Sequence, residues 1–352
     1  MTDRRAVKIV DTTVRDGSHS VAHRFTPQQV ATVGEALDRA GVWAVAVGHG
    51  DGLGAASRQY GFPAYPDPEL IAAVAAVVKR SRIATALLPG IGTKEDLRAA
   101  HDAGASVVRV STVCTEADIG VQHIGLAREL GMAAHSHLNM AHIAKPSTIA
   151  ENARIVADAG GEAVYLVDSA GAMMRDDVRA AVQALREALP EEIEIGIHEH
   201  NNLSLAVANS VAAVQEGATF VDVTLAGMGA GAGNCQAEPL VAVLGRLGYD
   251  TGVDLFELQD IADGYVRSEL MPGAIVIDRL TGTLGYAGVP ASFLLHAVRA
   301  GERFGVDPRE IILELGRRKA VVGQEDMILD VAARLAERPG GGADDATAVA
   351  AA

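Results

Sequence analysis

Hydrophobic positions in the first two thirds of the chain follow a repeating rhythm. Short runs rich in β-branched and apolar residues alternate with longer Ala-rich stretches in which apolar residues return every three or four positions. The short runs predict strands at Val7–Thr12, Ala44–Val47, Ile83–Leu88, Val107–Thr112, Met132–His137, Ala163–Asp168, Glu194–His198 and Phe220–Leu225. The longer stretches predict helices at Pro27–Ala40, Asp67–Lys79, Lys94–Ala103, Val121–Leu130, Ser147–Ala159, Arg175–Leu189 and Leu203–Glu216. Several of these helices end in Ala-Gly or Glu-Gly, as at Ala40-Gly41 and Glu216-Gly217, which suits a left-handed C-terminal cap. Eight β-α units in a row predict an α/β chain folded as a parallel (β/α)8 TIM barrel. A doubly wound open sheet is the competing arrangement, and eight uninterrupted units favour closure.

The rhythm changes after about residue 249. Leu255–Leu270, Ala291–Phe304 and Pro308–Arg317 read as helices, with no further β-α unit. The expected organisation is a catalytic barrel over 1–249, a mainly helical C-terminal extension over 250–337, and a disordered tail over 338–352. The tail carries Gly340-Gly341-Gly342 and a run of small residues.

Composition narrows the classes of function. The 352 residues are 49% hydrophobic and 21% charged, as in globular chains, and 30 Lys+Arg against 45 Asp+Glu leave a net charge of -15. That acidity argues against a nucleic-acid surface. Cys114 and Cys235 form no CxxC pair, so neither a disulfide framework nor a zinc ribbon is expected. Met1 to Val10 lack the apolar core of a signal peptide, and no apolar run approaches the roughly 20 residues of a membrane span. A cytoplasmic protein, with no membrane contact, is expected.

The candidate chemistry falls at the ends of predicted strands, where a barrel's catalytic face lies. Arg15, Asp16 and His19 follow the first strand, and His198-Glu199-His200 closes the seventh. Residues i and i+2 of a strand point the same way, so His198 and His200 can grip one ion and Asp16 can supply an oxygen. Two imidazoles and a carboxylate form a facial set that leaves positions open for substrate. An arginine beside it can stabilise an oxyanion. His135-Ser136-His137 is a rival pair that either binds the metal, lines the substrate pocket, or is bonded to backbone or water. Ser169, after the sixth strand, offers a hydroxyl and backbone N–H to a substrate carboxylate. The Gly227–Asn234 loop is glycine-rich but lacks the rest of a dinucleotide fingerprint, and Asn234 either joins the metal shell or makes a turn. No GxSxG elbow marks a serine nucleophile, and no strand-end lysine suggests a Schiff base.

The segment Thr12-Thr13-Val14-Arg15-Asp16-Gly17-Ser18-His19 resembles the signature of the 4-hydroxy-2-oxovalerate aldolases. These are pyruvate-specific class II aldolases, in a wider group of metal-dependent barrels with 3-hydroxy-3-methylglutaryl-CoA lyase and isopropylmalate synthase. The likeness continues through His49–Gly54, Leu88-Pro89-Gly90, Cys114–Asp118, Val167–Gly171, Gly229–Asn234, Leu284–Val289 and Gly323–Asp326. It implies a metal set of Asp16, His198 and His200 holding Mn2+ or another divalent ion such as Mg2+ or Co2+. It implies that Arg15 steadies a pyruvate enolate, that His19 is the acid/base on the 4-hydroxyl, and that Ser169 helps hold pyruvate. His135 and His137 are expected along the substrate pocket. The substrates implied are a 2-oxo acid (pyruvate or 2-oxobutyrate) and an aldehyde. The C-terminal helices would dock an acylating aldehyde dehydrogenase, with a homodimer of this chain inside a heterotetramer.

This chain also departs from the family pattern. Pro290 stands where the family usually has a tyrosine, the metal strand reads His198-Glu199-His200-Asn201-Asn202, and strand five carries histidines where apolar residues are usual. The metal and enolate residues are intact, while the aldehyde side is rebuilt. A non-standard aldehyde in a biosynthetic pathway is therefore expected. Two other readings stand beside it: an acyl-CoA lyase or synthase on the same barrel, and a non-catalytic partner subunit.

Overall fold

A computed structural model describes residues 5–271 and 273–337. The expected tail over 338–352 lies outside the described residues. Eight parallel strands close on themselves in sequence order, the first pairing with both the second and the eighth. They are β1 (Lys8–Asp11), β2 (Ala44–Ala46), β3 (Arg82–Leu87), β4 (Val107–Val113), β5 (Ala133–Asn139), β6 (Ala163–Asp168), β7 (Glu194–Glu199) and β8 (Phe220–Val223). The surrounding helices are α1 (Pro27–Ala40), α2 (Asp67–Ala75), α3 (Lys94–Asp102), α4 (Val121–Glu129), α5 (Pro146–Asp158), α6 (Arg175–Ala188), α7 (Ala206–Gln215) and α8 (Ala237–Arg246). The expected barrel is thus observed, and the doubly wound alternative is excluded.

Alternation along the strands sorts the core into two layers. Outward residues such as Ile9, Val45, Val108, Leu166 and Ile197 pack beneath the helices. Inward residues fill the lower barrel with small and aromatic groups: Ala44, Ala84, Ala133, Ala163, Tyr165 and Phe220. The helix caps are as legible as the strands. Thr26 accepts from Gln29 N–H at the start of α1, and Gly41, at φ 90°, closes its end.

Three helices were not expected from the sequence. α8 begins directly after the glycine-rich loop, with Pro239 in its first turn. In the C-terminal region, α9 (Leu255–Ile261) runs into a π-helical stretch over Ala262–Leu270, followed by α10 (Arg279–Ala287), α11 (Leu294–Phe304), α12 (Pro308–Arg317) and α13 (Asp326–Ala336). α10 carries Thr281, Gly282, Thr283 and Gly285, all weak helix formers. Its stability comes instead from Asp278, which caps Leu280 and Thr281 N–H, and from packing of Leu284. α13 also went unread, although Ile328, Val331 and Ala332 bury one face of it. Helices α10 to α13 share a separate apolar cluster that includes Leu284, Val289, Phe293, Ile311, Leu315 and Val331.

A second difference concerns β5. The strand runs on to Asn139, so His135 and His137 lie inside it rather than near its end. Among the described residues no helix is long and apolar enough to cross a membrane.

Candidate active site

The residues after β1 do not form a loose loop. Asp16–Val21 folds into a 3-10 turn, begun by Arg15 and Asp16 N–H groups donating to Thr12 O. This turn carries Asp16 inward and His19 to the rim. On the far side, β7 presents His198 and His200 on its inward face. The ligand atoms of Asp16, His198 and His200 lie within 4.8 Å of one another, and all three side chains are buried. Asp16 Oδ2 is 3.2 Å from His198 Nε2.

Electrostatics fit this set to a cation. Burial alone would raise the Asp16 carboxyl, but the Arg15 guanidinium at 3.1 Å and the neighbouring imidazoles outweigh it and hold Asp16 well below the usual range. Burial pushes His198 down to about 3 and lowers His200 as well, so both rings are neutral and can donate a lone pair. His200 Nδ1 and Asn234 Oδ1 are buried without a hydrogen-bond partner. An anionic carboxylate, two neutral imidazoles and orphaned acceptors among them are what a divalent ion would satisfy.

Arg15 is anchored through Nη1 to Gly50 O at 3.2 Å, while its Nε is buried with no partner. That leaves a donor for a substrate oxygen. His19 packs edge-on against His23, with Nε2 4.0 Å from Asp51 Oδ1. Glycine at position 50 lets the His19 ring pack close, since a Cβ there would overlap the ring as it stands. Ser169 Oγ accepts from Met140 N–H at 3.0 Å.

These residues surround a cavity of about 90 Å³. Arg15, Asp16, His19, His137, Ser169, His198 and His200 all line it. His135 does not. It lies lower in the barrel, stacked between Trp43 and Tyr165 and edge-on to Phe220. His137 reaches the cavity wall and accepts from Arg109 Nε at 2.9 Å. Glu199, on the opposite face of β7, is buried near Asn209 Nδ2 at 3.4 Å and held protonated by burial. Asn234 sits within the site: its Nδ2 is 3.1 Å from His198 Nε2. The glycine-rich loop makes this approach feasible. Gly233 has φ 78°, and a Cβ at Gly229 would overlap Asn234 Oδ1.

Two features escaped the sequence reading. Asp222 on β8 lies directly below His198, with Oδ2 2.8 Å from Nδ1. An acidic residue amid the apolar run Phe220-Val221-Asp222-Val223 was the available signal. The second is the extent of the roof, of which the sequence pointed to Pro290 alone. Pro290, Ala291, Ser292 and Val322 of the C-terminal region line the cavity, and Ala291 N–H donates to Ser169 O at 3.0 Å. The extension therefore completes the site.

Comparison with known proteins assigns the class first. Residues 6–264 match the HMGL-like family model, so the barrel is of that class, and residues 275–337 match the DmpG-like communication domain. The chain belongs to the 4-hydroxy-2-oxovalerate aldolase family. It is 50% identical over 337 residues to the 4-hydroxy-2-oxovalerate aldolase of Geobacillus genomosp. 3, covering 96% of this chain and 99% of that one. It is 51% identical over 337 residues to the enzyme of the same name from Moorella thermoacetica, again covering 96% and 99%. Among solved structures, the carboxyl transferase domain of Rhizobium etli pyruvate carboxylase with pyruvate and biocytin superposes with a TM-score of 0.80 at 17% identity, covering 95% of this chain and 60% of that one. At that identity the likeness speaks for the fold alone.

Proposed function

We propose that this chain is a divalent-metal-dependent lyase that cleaves and forms the C3–C4 bond of a 4-hydroxy-2-oxo acid. The observation that carries the reading is the convergence of Asp16, His198 and His200 beside Arg15, within a chain of this family. Asp16, His198 and His200 hold the ion, with Mn2+ first and Mg2+ or Co2+ as alternatives. Such an ion supplies Lewis acidity, spreading negative charge on an enolate oxygen.

The chain's own residues do the rest. In cleavage, His19 takes the proton of the 4-hydroxyl. The C3–C4 bond then breaks, its electron pair passes into the 2-oxo acid fragment as an enolate, and the aldehyde departs. Arg15 directs its unpartnered Nε–H at the enolate oxygen. Ser169 and its backbone neighbours hold the carboxylate. The enolate then takes a proton at C3 from water, giving pyruvate or 2-oxobutyrate, and His19 gives up its proton to the hydroxide left behind. In synthesis the order reverses, and His19 returns its proton to the new alkoxide. His137 contributes to the wall on the 2-oxo acid side, and His135 takes no part.

Among the residues that line the cavity, we assign the apolar group Ala86, Leu88, Pro290 and Val322 to the aldehyde side. A proline ring there offers neither phenol nor N–H. The acceptor is accordingly an aldehyde bulkier than acetaldehyde, in a synthetic pathway. The C-terminal helices dock an acylating aldehyde dehydrogenase, supported by the communication-domain match and by exposed Val276, Ile277, Leu295 and Leu329 in that region.

The test is direct. The full chain with Mn2+ should release pyruvate from 4-hydroxy-2-oxovalerate and its longer homologues, read by coupling to lactate dehydrogenase. An undiminished rate after chelation and gel filtration would refute the metal-dependent reading. Co-expression with a dehydrogenase should give a single sedimenting complex, and two separate species at micromolar concentration would refute the docking.

A further inference from the structure

Beneath the cavity the barrel holds charges that the reaction does not use. Asp222 is buried, and its Oδ2 lies 2.8 Å from His198 Nδ1. The same oxygen pairs with Arg109 of β4, which is also buried and donates to His137 Nε2. A buried carboxylate without a cation is costly, and Arg109 supplies one.

The position of the His198 proton follows from its other neighbours. Asn234 Nδ2 lies 3.1 Å from His198 Nε2 and 3.5 Å from Asp16 Oδ2. An ionised carboxylate only accepts, so the face of Asn234 turned to Asp16 is its NH2 group. That NH2 also faces His198 Nε2, and it donates there when Nε2 carries no hydrogen. On the other side of the ring, Nδ1 faces the Asp222 carboxylate, which is paired with Arg109 and only accepts, so Nδ1 carries the proton and donates it to Asp222, leaving Nε2 free for the Asn234 NH2. The nitrogen left bare is the one that faces Asp16.

We propose that Asp222, anchored by Arg109, is a positioning residue that locks the tautomer and ring plane of His198 and so raises the affinity of the site for a divalent cation. This rests on the reading of Asp16, His198 and His200 as the ligand set. A carboxylate on the far nitrogen also raises the basicity of the near one, which strengthens a metal bond.

Two measurements on the full chain test the assignment, with Mn2+ alone as the probe. In the metal-free wild type, long-range proton–nitrogen spectra should show His198 protonated at Nδ1, the signal being assigned by its loss in His198→Gln. In calorimetric titrations, Asp222→Asn, which keeps an acceptor but loses the charge, should weaken Mn2+ binding. Arg109→Met with Asp222→Leu removes both buried charges and the acceptor together, so it leaves no unpaired ion. That double variant should bind Mn2+ about 10–100-fold more weakly while unfolding cooperatively. Two results would overturn the proposal: a wild-type His198 protonated at Nε2, or a folded double variant that binds Mn2+ within about threefold of wild type, well short of that loss. If the wild type itself binds no Mn2+, the ligand reading fails first, and the two failures are told apart.

Discussion

The floor of the cavity comes from strand ends and the turn after β1, its roof from the segment between α10 and α11 together with Val322. The floor is ionic and buried. Asp16, Arg15, His198 and Asp222 are tied to one another and to backbone that the barrel fixes on both sides. The roof is made of small, mostly apolar residues, and it is held by a few bonds across the mouth: Ala291 N–H to Ser169 O, and His142 Nε2 to Gly288 O at 2.9 Å. A floor of coupled charges tolerates little change, because removing one member strands another. A roof of packed small side chains can change shape without disturbing the charge beneath it. Under the proposed reading, that division would let the aldehyde side change while the ligand and enolate residues stay in place.

The largest effect should come from breaking the floor at its ligands. Asp16→Ala, or His198→Ala with His200→Ala, should lose the tightly bound ion and bring pyruvate release to background. Metal content of the purified protein checks the cause, and a variant that retains a full complement of ion would refute the ligand assignment.

Arg15→Ala separates the charge on the enolate from the ion. The metal should stay bound while kcat falls about 10²–10³-fold, the usual cost of one oxyanion partner. Arg15→Lys should recover little, since an ammonium does not reproduce the guanidinium fork. A near-normal lysine variant would make Arg15 a structural contact only.

Pro290→Tyr tests the roof. Metal content should not change, while kcat/KM should shift toward acetaldehyde over larger aldehydes by about tenfold, the scale of a modest change in pocket shape. If acetaldehyde is already the best partner of the wild type, the rebuilt-roof idea fails.

The smallest effect lies below the floor. Burial pushes His135 down to about 3 in the folded chain, so between that value and the ordinary histidine pKa only the unfolded chain takes up the proton. Stability therefore falls as pH drops below about 6.5, by about 2 kcal/mol at pH 5 for one such residue. His135→Phe keeps the aromatic stack and should remove that share of the acid sensitivity, with turnover unaffected. Urea unfolding at pH 7 and pH 5 measures it, and equal acid sensitivity in the two proteins would show that His135 is solvated.

The barrel was legible because each β-α unit carries its own signal. Period-2 and period-3.6 patterns are local, and so are caps such as Thr26 and Gly41. The pairing of His198 and His200 was legible for a related reason: two histidines two apart on a strand share a face, whatever the rest of the chain does. α10 was not legible, because Gly282 and Gly285 weaken the local pattern and the stabilising contacts come from other helices. His135 was read as a pocket residue because its strand appeared to end early. Two more residues of β5, to Asn139, put that ring deep in the barrel.

By itself, then, the sequence determined the order of elements, the closed barrel they form, and the residue types able to hold a cation, since all of these depend on neighbours within a few positions. Only the tertiary structure decided which polar residues meet. Asp222 and His198 are 24 residues apart on neighbouring strands, and Arg109 and Asp222 are 113 apart and meet across the barrel interior; no local pattern encodes either pairing. The roof was decided the same way. Pro290 reaches Ser169's neighbourhood only because the C-terminal helices, packed on their own core, lay that segment over the open end of the barrel.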